Sequence, residues 1–235
     1  MRSYRVAALF FVLVFMPGVL FAAGDISDLL EKKGPRAKEV VTRPTVSRVS
    51  ALPGLPVTAR QYEFLTDRPH LSMVLARICD PSLDLYRIET RPDGISHVYD
   101  PAGLEGDVEL VSASPGRRLY FVSGHFMFLK MKFTGNMVVV NEYSERPGET
   151  GHSVDAAATS YVRLNSAFVG VFAKVMAFLF PKKVDERIGR FANAVKSVAL
   201  AVHEDPAGAY RRLAASGEVS PAELKEFAGM FLKKS

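Results

Sequence analysis

The chain has 235 residues, 30 Lys+Arg against 25 Asp+Glu, one cysteine and no tryptophan. An apolar content of 48% with 23% charged residues excludes a disordered chain and a polytopic membrane protein, and one cysteine excludes a disulfide framework or a four-cysteine metal site. The net charge of +5 falls to +3 once Arg2 and Arg5 are set aside, so charge does not point to a nucleic-acid partner.

Met1 to Arg5 is a short basic start, Val6 to Gly24 an uncharged run of 19 residues, and Ala22-Ala23-Gly24 a small-residue end. This is the layout of a secretory signal peptide over residues 1–24, with Ala22 and Gly24 as the small residues before the cut. The alternative is an uncleaved anchor over residues 6–24, because 19 residues approach the roughly 20 that span a bilayer. Either reading places the remainder outside the cytoplasm, periplasmic or extracellular. Residues 25–57 read as a basic linker. Asp25 to Lys33 would form a short helix; Arg36, Lys38, Arg43 and Arg48 follow against Glu39, and prolines 44, 53 and 56 bar a long helix. Such a stretch would graze an anionic lipid surface or serve as a solvated tether.

From Thr58 the pattern changes. Residues 58–65 predict a helix, and Pro69–Ile78 a second with Leu71, Val74, Leu75 and Ile78 on one side, stopped by Asp80-Pro81. Strand-like segments follow at 83–90, 95–99, 107–113, 117–129, 137–144 and 153–164, separated by turns such as Pro92-Asp93-Gly94 and Ser114-Pro115-Gly116. Helix then returns over Ala167–Phe180, interrupted by Pro181, and over Val184–His203, where apolar residues recur at 3.6 spacing. Asp205-Pro206 ends that helix, and two short helices cover 206–235. The last opens on Ser220-Pro221-Ala222-Glu223, a capping box with proline at the first helical position. The fold class is α+β, an antiparallel sheet of about six strands packed around C-terminal helices.

Chemistry is sparse. The chain holds no Gly-x-Ser-x-Gly, no phosphate-binding glycine loop and no His-Glu-x-x-His, and its histidines (70, 97, 125, 152, 203) lie at least 27 residues apart. No catalytic residue, metal or cofactor is assigned. His125, on the longest strand segment, shares a face by alternation with Leu119, Phe121, Met127, Leu129 and Met131. There it would be a satisfied core histidine, a hydrogen-bonding partner for a ligand head group, or a general base. The anomaly is an excess of large flexible apolar side chains. Phe126 to Leu129 is followed by Met131 and Phe133, and helix 167–180 carries Phe168, Phe172, Met176, Phe178 and Phe180 with Lys174 as its one charge. Such a helix is buried on most sides, faces a hollow lined by the sheet, or touches a membrane. The candidate ligand-binding set is therefore Phe121, His125, Met127, Leu129, Met131, Phe168, Phe172 and Met176. A filled core or a dimer interface is the plainer alternative.

The order of helices, sheet and long apolar C-terminal helix over roughly 58–205 is similar to the helix-grip folds of the START/SRPBCC superfamily. The residues that carry the likeness are the strand Arg117-Arg118-Leu119-Tyr120-Phe121-Val122-Ser123-Gly124-His125-Phe126, the strand Gly135-Asn136-Met137-Val138-Val139-Val140-Asn141-Glu142-Tyr143, and the helix Val184–His203. Pro181 departs from the family's single helix and leaves open which half grips the sheet. The resemblance implies a curved sheet wrapped around the last helix and a deep cavity for a lipid or other hydrophobic small molecule. The expected function is then an exported, non-enzymatic lipid-binding or carrier protein of the cell envelope, with membrane-surface contact and no nucleic acid. The alternatives are a cyclase- or hydrolase-like cavity enzyme with His125 as base, and an envelope assembly factor binding a protein through helix 167–180.

Overall fold

The computed structural model describes residues 27–101, 103–128, 131–148, 151–165 and 173–232, with side chains described except at 27–30, 128, 131 and 173–188. The leader read at 1–24 lies outside these residues. The elements in chain order are α1 (Ser27–Thr42), β1 (Val46–Leu55), α2 (Ala59–Thr66), α3 (Pro69–Cys79), β2 (Arg87–Thr90), β3 (Ser96–Asp100) and β4 (Leu104–Ser114). They continue with β5 (Arg117–Phe128), β6 (Met131–Gly148), β7 (Gly151–Leu164), α4 (Ala173–Glu204), α5 (Pro206–Ser216) and α6 (Pro221–Phe231).

The helix starts follow local rules. Thr58 accepts a hydrogen bond from the Gln61 amide and its own amide donates to the Gln61 side chain, so a reciprocal capping box opens α2. Ser220 and Glu223 do the same for α6, and the Asp205 carboxylate accepts from the Gly208 amide at the start of α5. Gly34 sits at φ 63, ψ −151, a region open essentially to glycine alone, and it divides α1 into two helical pieces of different direction.

The seven strands form one antiparallel sheet in the order β1-β7-β6-β5-β4-β3-β2, and the fold is α+β. Residues 46–55, read from the sequence as part of a basic linker, are the edge strand β1, paired along β7 from Val46↔Val162 to Leu55↔Val154. Its proline is tolerated because Pro53 falls where the register slips between Leu52 and Leu55, so no ladder bond is lost there. With β1 counted, the sheet has seven strands among the described residues, in line with the antiparallel sheet of about six expected from the sequence. Nor does Pro181 split the C-terminal helix: α4 runs through it from Ala173 to Glu204. A proline inside a helix removes one backbone donor, which bends a helix more readily than it ends one.

Each face of the sheet has its own core. On one face, α2 to α6 enclose Leu55, Tyr143, Val154 and Ala156 together with Leu71, Leu75, Ala199, Val202, Leu213 and Phe227. On the other, α1 lays Ala37 and Val40 over Val111, Leu119, Val138 and Val140. The Lys32 ammonium donates to the Val111 carbonyl and Lys33 pairs with Glu109, fixing the first half of α1 beside β4. We call these the helix side and the outer side.

Candidate functional site: the helix side of the sheet

Three glycines set the geometry. Gly106, Gly124 and Gly135 stand directly opposite one another on β4, β5 and β6. A Cβ on Gly106 would lie 2.7 Å from the Ser123 carbonyl oxygen, one on Gly135 2.7 Å from that of Arg163, and one on Gly124 would strike the Glu105 carbonyl. Real side chains do not make such contacts, so an in-register row of glycine lets three neighbouring strands bend along one line. The row falls on the same side as α4. That helix is held near both edges of the sheet: the Arg190 guanidinium donates to the Tyr86 hydroxyl, one residue before β2, at 2.6 Å. Further along, Ala194, Val198, Ala199 and Val202 share a core with Leu55 of β1.

Between these attachments the helix side grades from polar to apolar. Successive helix-side residues of β5 are Arg118, Tyr120, Val122, Gly124 and Phe126, and the residues opposite them on β6 are Asn141, Val139, Met137, Gly135 and Phe133. Phe126 stacks on Phe133 with ring centroids 5.3 Å apart. In the middle, Val108, Val122, Met137, Val139 and Val162 are only half-buried, and Leu110 is 39% exposed. Incomplete burial of central-strand valines on the face that carries five helices is unusual, because such residues normally fill the core. On α4, Phe191 continues the stripe of Ala194, Val198 and Val202, yet it is 63% exposed.

The polar end is fastened by α2. Arg118, its side chain 6% exposed, forms a bidentate pair with Asp67 (Nε to Oδ1 2.8 Å, Nη2 to Oδ2 3.0 Å) and donates to the Tyr143 hydroxyl at 2.7 Å. Tyr143 in turn donates to Glu63 at 2.6 Å, and Tyr62 donates to Asn141 at 3.1 Å. Burial pushes the Tyr62, Tyr120 and Tyr143 hydroxyls above the ordinary tyrosine value, so all three stay protonated donors. The charge-assisted bond to Asp67 holds Arg118 above its ordinary value as well.

The predicted lining residues do not come together as one set. Phe121, His125 and Met127 do share a face, as alternation requires, but it is the outer side. Phe121 packs against the α1 cluster with the Lys33 ammonium 5.9 Å from its ring centroid. Met127 is 42% exposed, and the His125 Nε2 lies 3.7 Å from Glu105. Period-two reading separates two faces correctly and does not say which one the helices cover; that depends on packing remote in sequence. Leu129, Phe168 and Phe172 lie outside the described residues, Met131 belongs to β6 and Met176 to α4. The helix-side set that the same alternation offers, one residue out of step, is Tyr120, Val122, Met137, Val139 and Val162.

Elsewhere the outer side brings His97 Nδ1 within 2.8 Å of Asp107, a carboxylate that Arg91 and His97 together hold below its usual range. Among the described residues, no group of three His, Cys, Asp or Glu side chains is arranged to hold a metal ion. A small open cleft of about 170 Å³ lies between Pro56, Val57, Thr58, Gln61, Gly151, His152 and His203, at the C-terminal end of α4.

No family model matches the chain, and no curated protein matches it. Among solved structures it is similar to an uncharacterized protein from Rhizobium leguminosarum. The two share 14% identity at a TM-score of 0.31, over 66% of this chain and 93% of that one. A likeness at that level carries no argument about function.

Proposed function

We propose that the chain is an exported, non-enzymatic carrier or binding protein for a hydrophobic small molecule or lipid, built as a helix-grip domain. The observation that carries this reading is the half-buried apolar strip of Val122, Met137, Val139 and Val162 on the helix side. It lies on the face that carries α4, beside the in-register row of Gly106, Gly124 and Gly135. Apolar surface left incompletely covered on the helix side gains about 0.8 kcal/mol for each methylene of ligand that completes it, so affinity needs no reactive group. Export rests on the basic start, apolar run and small-residue end of residues 1–24. Among the described residues no helix is long and apolar enough to cross a membrane. The enzymatic alternative with His125 as base would put its ligand on the outer side of the sheet, where His125 stands.

The test is to purify residues 25–235 from the envelope fraction without detergent, extract bound material and identify it by mass spectrometry, then measure displacement of a fluorescent long-chain probe. A co-purifying lipid, with probe binding lost in Val139→Lys and retained in Met127→Lys, is the expected result. Repeated recovery of a lipid-free protein that binds no probe overturns the reading. Equal loss in both variants would place the ligand elsewhere.

A further inference from the structure

The polarity gradient on the helix side says more about the ligand, on the premise that the proposed carrier reading holds. We infer that the ligand is an amphiphile with an uncharged, hydrogen-bonding head, lying along β5 and β6 with its head at Tyr120 and its tail at Phe126 and Phe133.

The direction follows from the order of side chains. Tyr120 is the first helix-side residue of β5 beyond the Arg118 clasp, and from there to the Phe126–Phe133 pair the residues are Val122, Gly124, Met137 and Gly135, with Val162 alongside. Six residues of strand measure roughly 20 Å at about 3.4 Å each, enough for an extended long chain. An apolar tail placed at the other end would meet Arg118, Asp67 and Glu63 and would strip water from charged groups at a cost of several kcal/mol.

The charge of the head follows from what surrounds Tyr120. Among the described side chains Asp67 and Glu63 are the acidic groups there, and the one cation beside them, Arg118, already forms two bonds to Asp67, one to Tyr143 and others to the Ser114 and Arg117 carbonyls. A carboxylate head would therefore approach two carboxylates whose described counter-charge, Arg118, is already engaged. The neighbouring donors and acceptors are hydroxyls: Tyr120 itself and Ser160, opposite Val139, which is in turn opposite Tyr120. Arg48 is also on the helix side, but it is opposite Ser160 on the edge strand, three strands from Tyr120, and its guanidinium donates to the Ser47 carbonyl. A hydroxyl or carbonyl head suits this environment; a carboxylate does not.

Chain-matched monomeric probes decide it: a long-chain fatty alcohol and the fatty acid of equal length, each titrated at pH 8 against residues 25–235 by displacement of the same fluorophore. The alcohol should bind at least tenfold more tightly than the acid, and Tyr120→Phe should weaken the alcohol about five- to tenfold while leaving the acid and the thermal midpoint nearly unchanged. An acid that binds as tightly as the alcohol overturns this inference and leaves the carrier reading standing, and loss of that binding in Arg48→Gln would then assign the head to β1. Failure of both probes to bind overturns the carrier reading and this inference together.

Discussion

At the scale of single residues, the glycine row makes the sharpest demand. Gly124 faces the Glu105 carbonyl and the Gly106 Cα across a gap too small for a methyl group. Both neighbours are backbone, which cannot swing aside as a side chain would. Gly124→Ala should therefore lower stability by about 1–3 kcal/mol, the usual range for an overpacked site, seen as a fall in the urea midpoint with the slope unchanged. An alanine accepted without loss would mean the strands do not bend there. Much at this scale was legible beforehand. Alternation grouped Leu119, Phe121, His125 and Met127 on one side of β5, as observed. What it left open was the occupant of that side. Lys33 and Val40 of α1 cover part of it, and nothing in the strand's own sequence announces a helix contributed from so far upstream, one whose lysines reach the neighbouring strand β4 across 79 and 76 residues. The buried ion pair of Arg118 was equally hidden, because Asp67 is a turn residue by every local rule.

At the scale of elements, local signals did best where they are self-contained. The Thr58–Gln61 capping box, the Ser220–Glu223 box and the Asp80-Pro81 stop lie within four residues of the features they control, and each helix begins or ends there. Because α2 carries Tyr62, Glu63 and Asp67 to the sheet, its cap matters beyond the helix itself. Thr58→Ala should cost about 1 kcal/mol in global stability, and amide exchange should speed first at Gln61, where the lost side-chain acceptor leaves a free N–H. Exchange rising uniformly over all helices would contradict a local role. Strand β1 shows the limit of such reading. Its helix-side positions are Val46, Arg48, Ser50 and Leu52, a weak alternation followed by Pro53-Gly54, and an edge strand has only one neighbour to satisfy. The pairing that defines it is written in β7.

At the scale of the molecule, the clasp of Arg118, Asp67, Tyr143 and Glu63 joins the helical layer to the sheet and gives stability a pH signature. Tyr62, Tyr120 and Tyr143 are held above the ordinary value by burial, whereas in the unfolded chain they ionise near pH 10. The native state thus keeps protons that the unfolded state releases. The stabilisation is complete below about pH 10 and declines as pH rises past it towards the folded-state values. Urea midpoints should be level from pH 7 to 9 and drop between 10 and 11, and Tyr143→Phe should flatten that drop. A midpoint unchanged up to pH 11 would show that these hydroxyls are reached by solvent.

The pairing of β1 with β7 also governs the order in which the molecule can be assembled. Thr45 meets Leu164 across 119 residues of chain, and Gly54 meets Asp155 across 101. A chain delivered N-terminus first presents β1 long before its only partner strand exists, and α1 likewise waits for β4 to β7. The strands β2 to β7 can zip successively as hairpins, each beside its predecessor, but β1 must close the far edge after all of them. The capture of residues 46–55 is then the expected slow step of folding, its cost lying in loop entropy rather than in local structure. Until that capture the β7 edge is open. An emerging chain would need its seventh strand shielded for as long as the first remains at large.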